Sequence, residues 1–143
     1  MHNPAILWPM FGLALWTSLV LMLIPLARVR AALRRDVVVD DFRYGESTAV
    51  PAAVSIPNRN YMNLLELPTL FYVVCLLLYI TGGASTLATT LTWTYVALRV
   101  VHSLVHLTYN RVIHRLALFA ASDVVLAVLW VIAGVHLSAS AGA

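Results

Sequence analysis

The chain is predicted to be all-α: an integral membrane four-helix bundle with up-down topology. Three observations carry this. Of its 143 residues, 62% are hydrophobic and only 10% charged, against about 45–50% and about 25% in an ordinary soluble domain, and mean hydropathy is +0.88. Four apolar runs, at about 5–27, 61–81, 87–109 and 116–137, are each long enough to cross a hydrocarbon core about 30 Å thick. All basic charge is arginine, and eight of the nine arginines lie in or beside two of the three connectors. The length fits a single domain.

The first run is read as a retained helix rather than a secretory leader. It is too long, no basic segment precedes it, and no small-residue cleavage site follows. The segment RVRAALRR (28–35) extends that helix out of the membrane. The rest of the stretch to residue 58 is charged, and Gly45, Pro51 and Pro57 are expected to break it. The second span should then enter near Asn58, with Pro68 interrupting it and leaving the Leu64 carbonyl without its helical donor. An uncharged turn at 81–86 leads to the third span. A short turn at 109–115, carrying Arg111, His114 and Arg115, leads to the fourth.

Four spans put the long loop and the 109–115 turn on one side. The positive-inside rule makes that side cytoplasmic and both termini external. The lysine-free, Ala/Val/Leu/Arg-rich composition points to a bacterial inner membrane. Trp8 and Trp93 would anchor the outer interface, Tyr61 and Tyr109 the inner one. His2 and His136 fall at the outer ends as solvated or interfacial groups. The lone Cys75 cannot form an intrachain disulfide and reads as a packing residue.

Two polar stripes interrupt the apolar runs: Arg59–Asn63–Glu66 and Arg99–His102–His106. Each stripe lies within about 60° on one helical face. Ionisable residues in a span cost roughly 2.5–3.5 kcal/mol each and so face a protein interior or a wet cavity. Counting along the helices puts Glu66 roughly 10 Å below Arg59, His106 about 6 Å deep, His102 and Asp123 about 12 Å, and Arg99 about 16 Å. These five are expected to converge on one cavity open to the cytoplasm. Arg99 needs an anion, and Glu66 and Asp123 are the acids within reach. Either pairing would be structural, because an unpaired buried charge costs several kcal/mol.

His102 and His106 at i, i+4 resemble a metal pair, with Glu66 as a third ligand. A lone HxxxH without HExxH is common by chance, so no metal is expected. No nucleic-acid motif is present. What remains is an anion-binding mouth ringed by Arg59, Arg111, Arg115, Arg28 and Arg30, with the N-terminus of the fourth helix adding partial positive charge. Guanidinium groups suit carboxylates and phosphates. Arg34, Arg35 and Arg43 need no reading beyond the positive-inside rule.

The second-span segment PNRNYMNLLELPTLFY, with Arg59, Asn63, Glu66 and Pro68, resembles the signature of the MAPEG family, membrane-associated proteins of eicosanoid and glutathione metabolism. Arg99-x-x-His102-x-x-x-His106 is similar to an Arg, His, Tyr series in the prostaglandin E synthase branch, and Arg115 falls at that branch's essential arginine. The span layout and length match as well. The resemblance implies a homotrimer with glutathione bound between subunits on the cytoplasmic side. Arg59, Asn63 and Glu66 would contact the tripeptide, Arg99 and His102 would complete the wall with Arg99 paired to Glu66, and Arg115 would stabilise the thiolate. Arg28 or Arg30 would match a first-helix arginine. His106 stands at the tyrosine position, where it can donate to a thiolate or shuttle a proton. Met62 stands where some members carry arginine.

A guanidinium beside the sulfur favours the thiolate, which could attack a hydrophobic electrophile dissolved in lipid. The implied activity is a glutathione-dependent membrane transferase or peroxidase. The alternatives are a non-enzymatic scaffold or lipid-binding trimer, in which the stripes hold the bundle together, and a small channel.

Overall fold

Helix α1 (Trp8–Leu33) is preceded by a short 3-10 turn, Pro4–Leu7. The Asn3 side chain caps that turn, accepting from the Ala5 amide at 3.1 Å. In the computed structural model, which describes residues 3–141, the remaining helices are α2 (Ala52–Leu65), α3 (Pro68–Ile80), α4 (Thr86–Leu107) and α5 (Val112–Ala141). His2 lies outside the described residues. The expected all-α bundle is what is observed, with no strand among the described residues.

The second span differs from expectation at both ends of its polar stripe. It starts at Ala52, not near Asn58, and Pro57 lies inside α2 instead of breaking it. The ring's fixed φ is helical and the residue is buried, so the helix absorbs the missing donor near its start. The break falls instead at Glu66 (φ −73°, ψ −96°), and Pro68 opens α3, where an absent amide proton costs little. The Thr69 hydroxyl donates to the Leu65 carbonyl at 2.7 Å, satisfying one acceptor freed by the break.

Three helical units are long and apolar enough to cross a membrane: Pro4–Leu33, Ala52–Ile80 and Val112–Ala141. The 22-residue α4 is more polar and packs one face against α1, α2 and α5, leaving Leu87, Trp93, Val101 and Leu104 exposed on the other. Its threonines hide their hydroxyls in their own helix. Thr89, Thr90 and Thr94 donate to carbonyls four residues back at 3.0 Å. Around it the core gathers Leu13, Val20, Leu64, Phe71, Leu78, Leu126 and Leu129, with Phe71 stacked on Tyr95 at 4.5 Å. Cys75 is fully buried in the same core.

The bundle's two ends are built differently. At one, Asn3 Nδ2 donates to the Ala84 carbonyl and His136 Nε2 to the Thr81 carbonyl, at 3.4 and 2.9 Å. His136 therefore clips α5 to the α3–α4 turn and is not a free interfacial group. At the other end lie the 34–51 connector and the α4–α5 turn. There Val37, Val50 and Val54 pack with Ala31 and Phe42, and the Asp41 carboxylate accepts from the Val38 amide and the Ser47 hydroxyl, both at 2.9 Å.

Candidate functional site

A large cavity, about 490 Å³, lies at this second end between α2 and the α4–α5 turn. Its polar lining includes Arg59, Asn63, Glu66, His106, Asn110 and Arg115. One face of α2 presents the first three, as the i, i+4, i+7 spacing requires. Asn63 holds itself in place by donating to the Arg59 carbonyl at 3.0 Å. Glu66 stands where α2 unwinds and makes no ion pair among the described residues. It is exposed in the single chain.

Arg115 enters from the first turn of α5. Asn110 adopts the left-handed conformation (φ 50°), which asparagine tolerates better than most residues, and so ends α4 sharply. Its amide donates to the Val105 carbonyl at 2.8 Å, and its side-chain oxygen accepts from Arg115 Nη1, also at 2.8 Å. Arg115 Nε is buried without a partner. His106, almost fully buried, likewise has an unpartnered Nδ1. Two residues that line the cavity thus each keep a buried polar atom that the chain leaves unsatisfied.

His102 lies one turn deeper, in an adjoining cavity of about 200 Å³ with Asn63, Val112, Arg115, Leu116 and Phe119. The His102 and His106 rings are 6.1 Å apart, edge to face. Arg115 and Asn63 line both cavities, so a polar chamber and a more apolar one meet at the same guanidinium.

The expected convergence of Glu66, His106, His102, Asp123 and Arg99 on one cavity does not occur. Arg99 is fully buried and lines neither cavity. Its Nη2 donates to Asp123 at 3.3 Å, its Nε to the Tyr95 hydroxyl at 3.1 Å, and its guanidinium lies 4.7 Å from the centre of the Phe119 ring. Of the two pairings open from sequence, the structure forms Arg99–Asp123, on the helix packed most closely against α4; the Arg99–Glu66 pair that the resemblance implied is absent among the described residues.

The arginine ring also contracts. Within one chain only Arg59 and Arg115 reach the large cavity. Arg28 pairs with Glu46 at 3.4 Å and lies 4.5 Å from the centre of the Phe42 ring. Arg30 lines a third cavity on the other side of the start of α2. Arg111 precedes the helical register of α5 and lines a shallow pocket with Val112, Ile113 and His114. Asn110 and the buried Asn60, which donates to Ser103 at 2.6 Å, were missed from sequence. An asparagine inside a tight interhelical turn was the available signal for Asn110.

The profile of the MAPEG family matches residues 6–135, nearly the whole chain. The chain belongs to the MAPEG family. No curated protein and no solved structure matches it significantly. MAPEG proteins include glutathione transferases and peroxidases. In this MAPEG chain, Arg59, Asn63 and Glu66 are brought to one cavity with Arg115 and His106, whereas Arg99 is spent on an internal ion pair.

Proposed function

We propose that this MAPEG protein is a glutathione-dependent membrane transferase or peroxidase acting on hydrophobic electrophiles. The observation that carries the reading is the large cavity that joins Arg59, Glu66, His106 and Arg115. Glutathione offers two carboxylates and one ammonium, and the cavity offers two guanidiniums and one carboxylate. Its volume of about 490 Å³ lies within the range of roughly 300–1,000 Å³ usual for small-molecule sites.

In this reading Arg59 holds a carboxylate at the mouth, Glu66 holds the ammonium, and Asn63 spaces them. Arg115, steadied by Asn110, sets its guanidinium beside the sulfur and favours the thiolate. His106, on the lining of the same cavity, moves the proton. The bound thiolate supplies the nucleophile, and an electrophile arriving from lipid meets it at Arg115, where the two cavities join.

Glu66, Met62 and Leu65 are exposed on α2 in the single chain. A charged residue facing lipid would cost roughly 2.5–3.5 kcal/mol, which supports assembly as a homotrimer with this face covered by a second copy. The arginine-bearing end is assigned to the cytoplasm and the termini to the exterior of a bacterial inner membrane, with α4 as the fourth span. The second reading, a structural scaffold, is favoured for the deeper stripe by the Arg99–Asp123 pair.

Thermal unfolding in detergent with glutathione separates the two readings. Millimolar glutathione should raise the melting temperature and support conjugation of an aryl halide, while S-methylglutathione should bind without reacting. An unchanged melting curve together with no conjugation would establish the scaffold.

A further inference from the structure

Arg30 and Arg34 are two of the arginines that do not line the large cavity. Both line a separate cavity of about 270 Å³ between the end of α1 and the start of α2, with Ala27, Asp36, Pro51 and Ala53 among its other walls. Neither arginine makes an ion pair; those among the described residues are Arg28–Glu46 and Arg99–Asp123. Pro51 offers no side-chain cap to the opening amides of α2, which add partial positive charge beside the two guanidiniums.

The acid in this cavity is held there by the backbone. Arg35 is left-handed (φ 62°), and the amides of Arg35 and Asp36 fold back onto the carbonyls of Ala32 and Ala31 at 3.0 and 2.9 Å. This closure of α1 turns Asp36 toward the end of the helix that carries Arg30 and Arg34. A left-handed arginine is unfavourable by roughly 1–2 kcal/mol, yet the turn keeps it.

The ridge below the arginines is apolar. Met22, Leu26, Arg30 and Arg34 follow one another at intervals of four along α1, and Met22 and Leu26 are 54% and 51% exposed. Arg30 lies about 5 Å along the helix axis beyond Ala27, at the depth of the headgroup layer if the apolar turns fill the hydrocarbon. An apolar strip, then two unpaired cations, then one carboxylate is the order of groups complementary to a phospholipid that carries an ammonium: acyl chain, phosphate, amine.

We infer that the cavity between α1 and α2 is a binding site for an aminophospholipid such as phosphatidylethanolamine, with its phosphate on Arg30 and Arg34, its ammonium on Asp36 and an acyl chain along Met22 and Leu26. Basic pockets between helices at a membrane surface hold lipid headgroups in this manner. The site is separate from the proposed glutathione cavity and does not depend on it, because the first turn of α2 stands between them: Ala52 and Ser55 line one, Ala53 and Val54 the other.

Native mass spectrometry of the detergent-solubilised full chain, titrated with phosphatidylethanolamine, phosphatidylcholine and phosphatidylglycerol, tests this. One phosphatidylethanolamine per chain should be retained in preference to the other two. Arg30→Gln/Arg34→Gln should weaken its retention roughly 10–30-fold. Asp36→Asn should abolish the preference over phosphatidylglycerol, because only the ammonium contact is removed. Equal retention by parent and double variant would overturn the site, and an unchanged preference in Asp36→Asn would overturn the ammonium assignment. Soluble glycerophosphoethanolamine displacing the lipid at equal concentration would mark a site for a water-soluble ligand and overturn the lipid. If the double variant fails to fold, Arg34→Gln, at the exposed end of α1, carries the same comparison.

Discussion

Arg99 is fully buried, and its guanidinium meets the Asp123 carboxylate at 3.3 Å. The Asp123 side chain is one-third exposed, so the two ends of the pair differ in how much they lose without each other. Asp123→Ala would strand a cation that already has an unpartnered Nη1. A broken buried pair costs about 3–5 kcal/mol, and the exposure of Asp123 reduces this to roughly 2–3 kcal/mol. Thermal unfolding in detergent should show the loss, while glutathione affinity changes little. A strong fall in affinity with no loss of stability would place Arg99 in the ligand site after all.

Arg115→Ala should leave the protein folded and lower conjugation by about 100–1,000-fold, the usual cost of removing one donor to a developing or stabilised anion. Steady-state kinetics with a hydrophobic aryl halide give the measurement, and the loss should appear mainly in kcat. Asn110→Ala should lower kcat in the same direction but less, because it frees Arg115 Nη1 without removing the charge.

Glu66→Gln should weaken glutathione by about tenfold if its carboxylate holds the ammonium, since a charged hydrogen bond is worth about 1.5–3 kcal/mol. An analogue lacking the amino group should bind parent and variant alike. Ligand-induced shifts in melting temperature read both, and equal losses for the two ligands would remove Glu66 from ammonium recognition.

Asn60 and Ser103 are both fully buried and joined at 2.6 Å, and Asn60 Oδ1 has no partner. Ser103→Ala should cost about 1–3 kcal/mol by leaving the Asn60 amide unmatched. The double change Asn60→Leu/Ser103→Ala should recover part of that loss. A double-mutant cycle showing simple additivity would rule out the coupling.

Gly83 lies against the clip at the opposite end. A Cβ there would meet His136 Cδ2 at 2.7 Å and Leu78 Cδ2 at 3.1 Å. Gly83→Ala should push His136 off the Thr81 carbonyl and destabilise the bundle by about 1–3 kcal/mol, with glutathione affinity retained because the site lies at the other end.

The fold was legible because a membrane bundle is written in composition and run length, and lipid tolerates little else. Arg59, Asn63 and Glu66 were legible as a group because a single helix fixes their spacing, whatever packs against it. Reading across helices fared less well. Depth left both Glu66 and Asp123 within reach of Arg99, but depth is one coordinate, and the rotation of α4 turns Arg99 toward α5 and Asp123. The prolines show a similar limit: Pro57 and Pro68 look alike in sequence, yet only Pro68 coincides with a break.

The sequence by itself determined a helical membrane chain of the MAPEG family, the end at which its arginines gather, and the polar face of its second span. Tertiary structure decided which arginines reach the large cavity, which acid neutralises Arg99, and that Asn110 steadies Arg115. The physical reason is that helical periodicity relates residues on one helix at fixed angles, whereas contacts between helices depend on rotation and closing turns, which the sum of packing across the whole bundle sets. Arg30 shows the difference: an arginine at the right height, separated from the large cavity by one turn of α2.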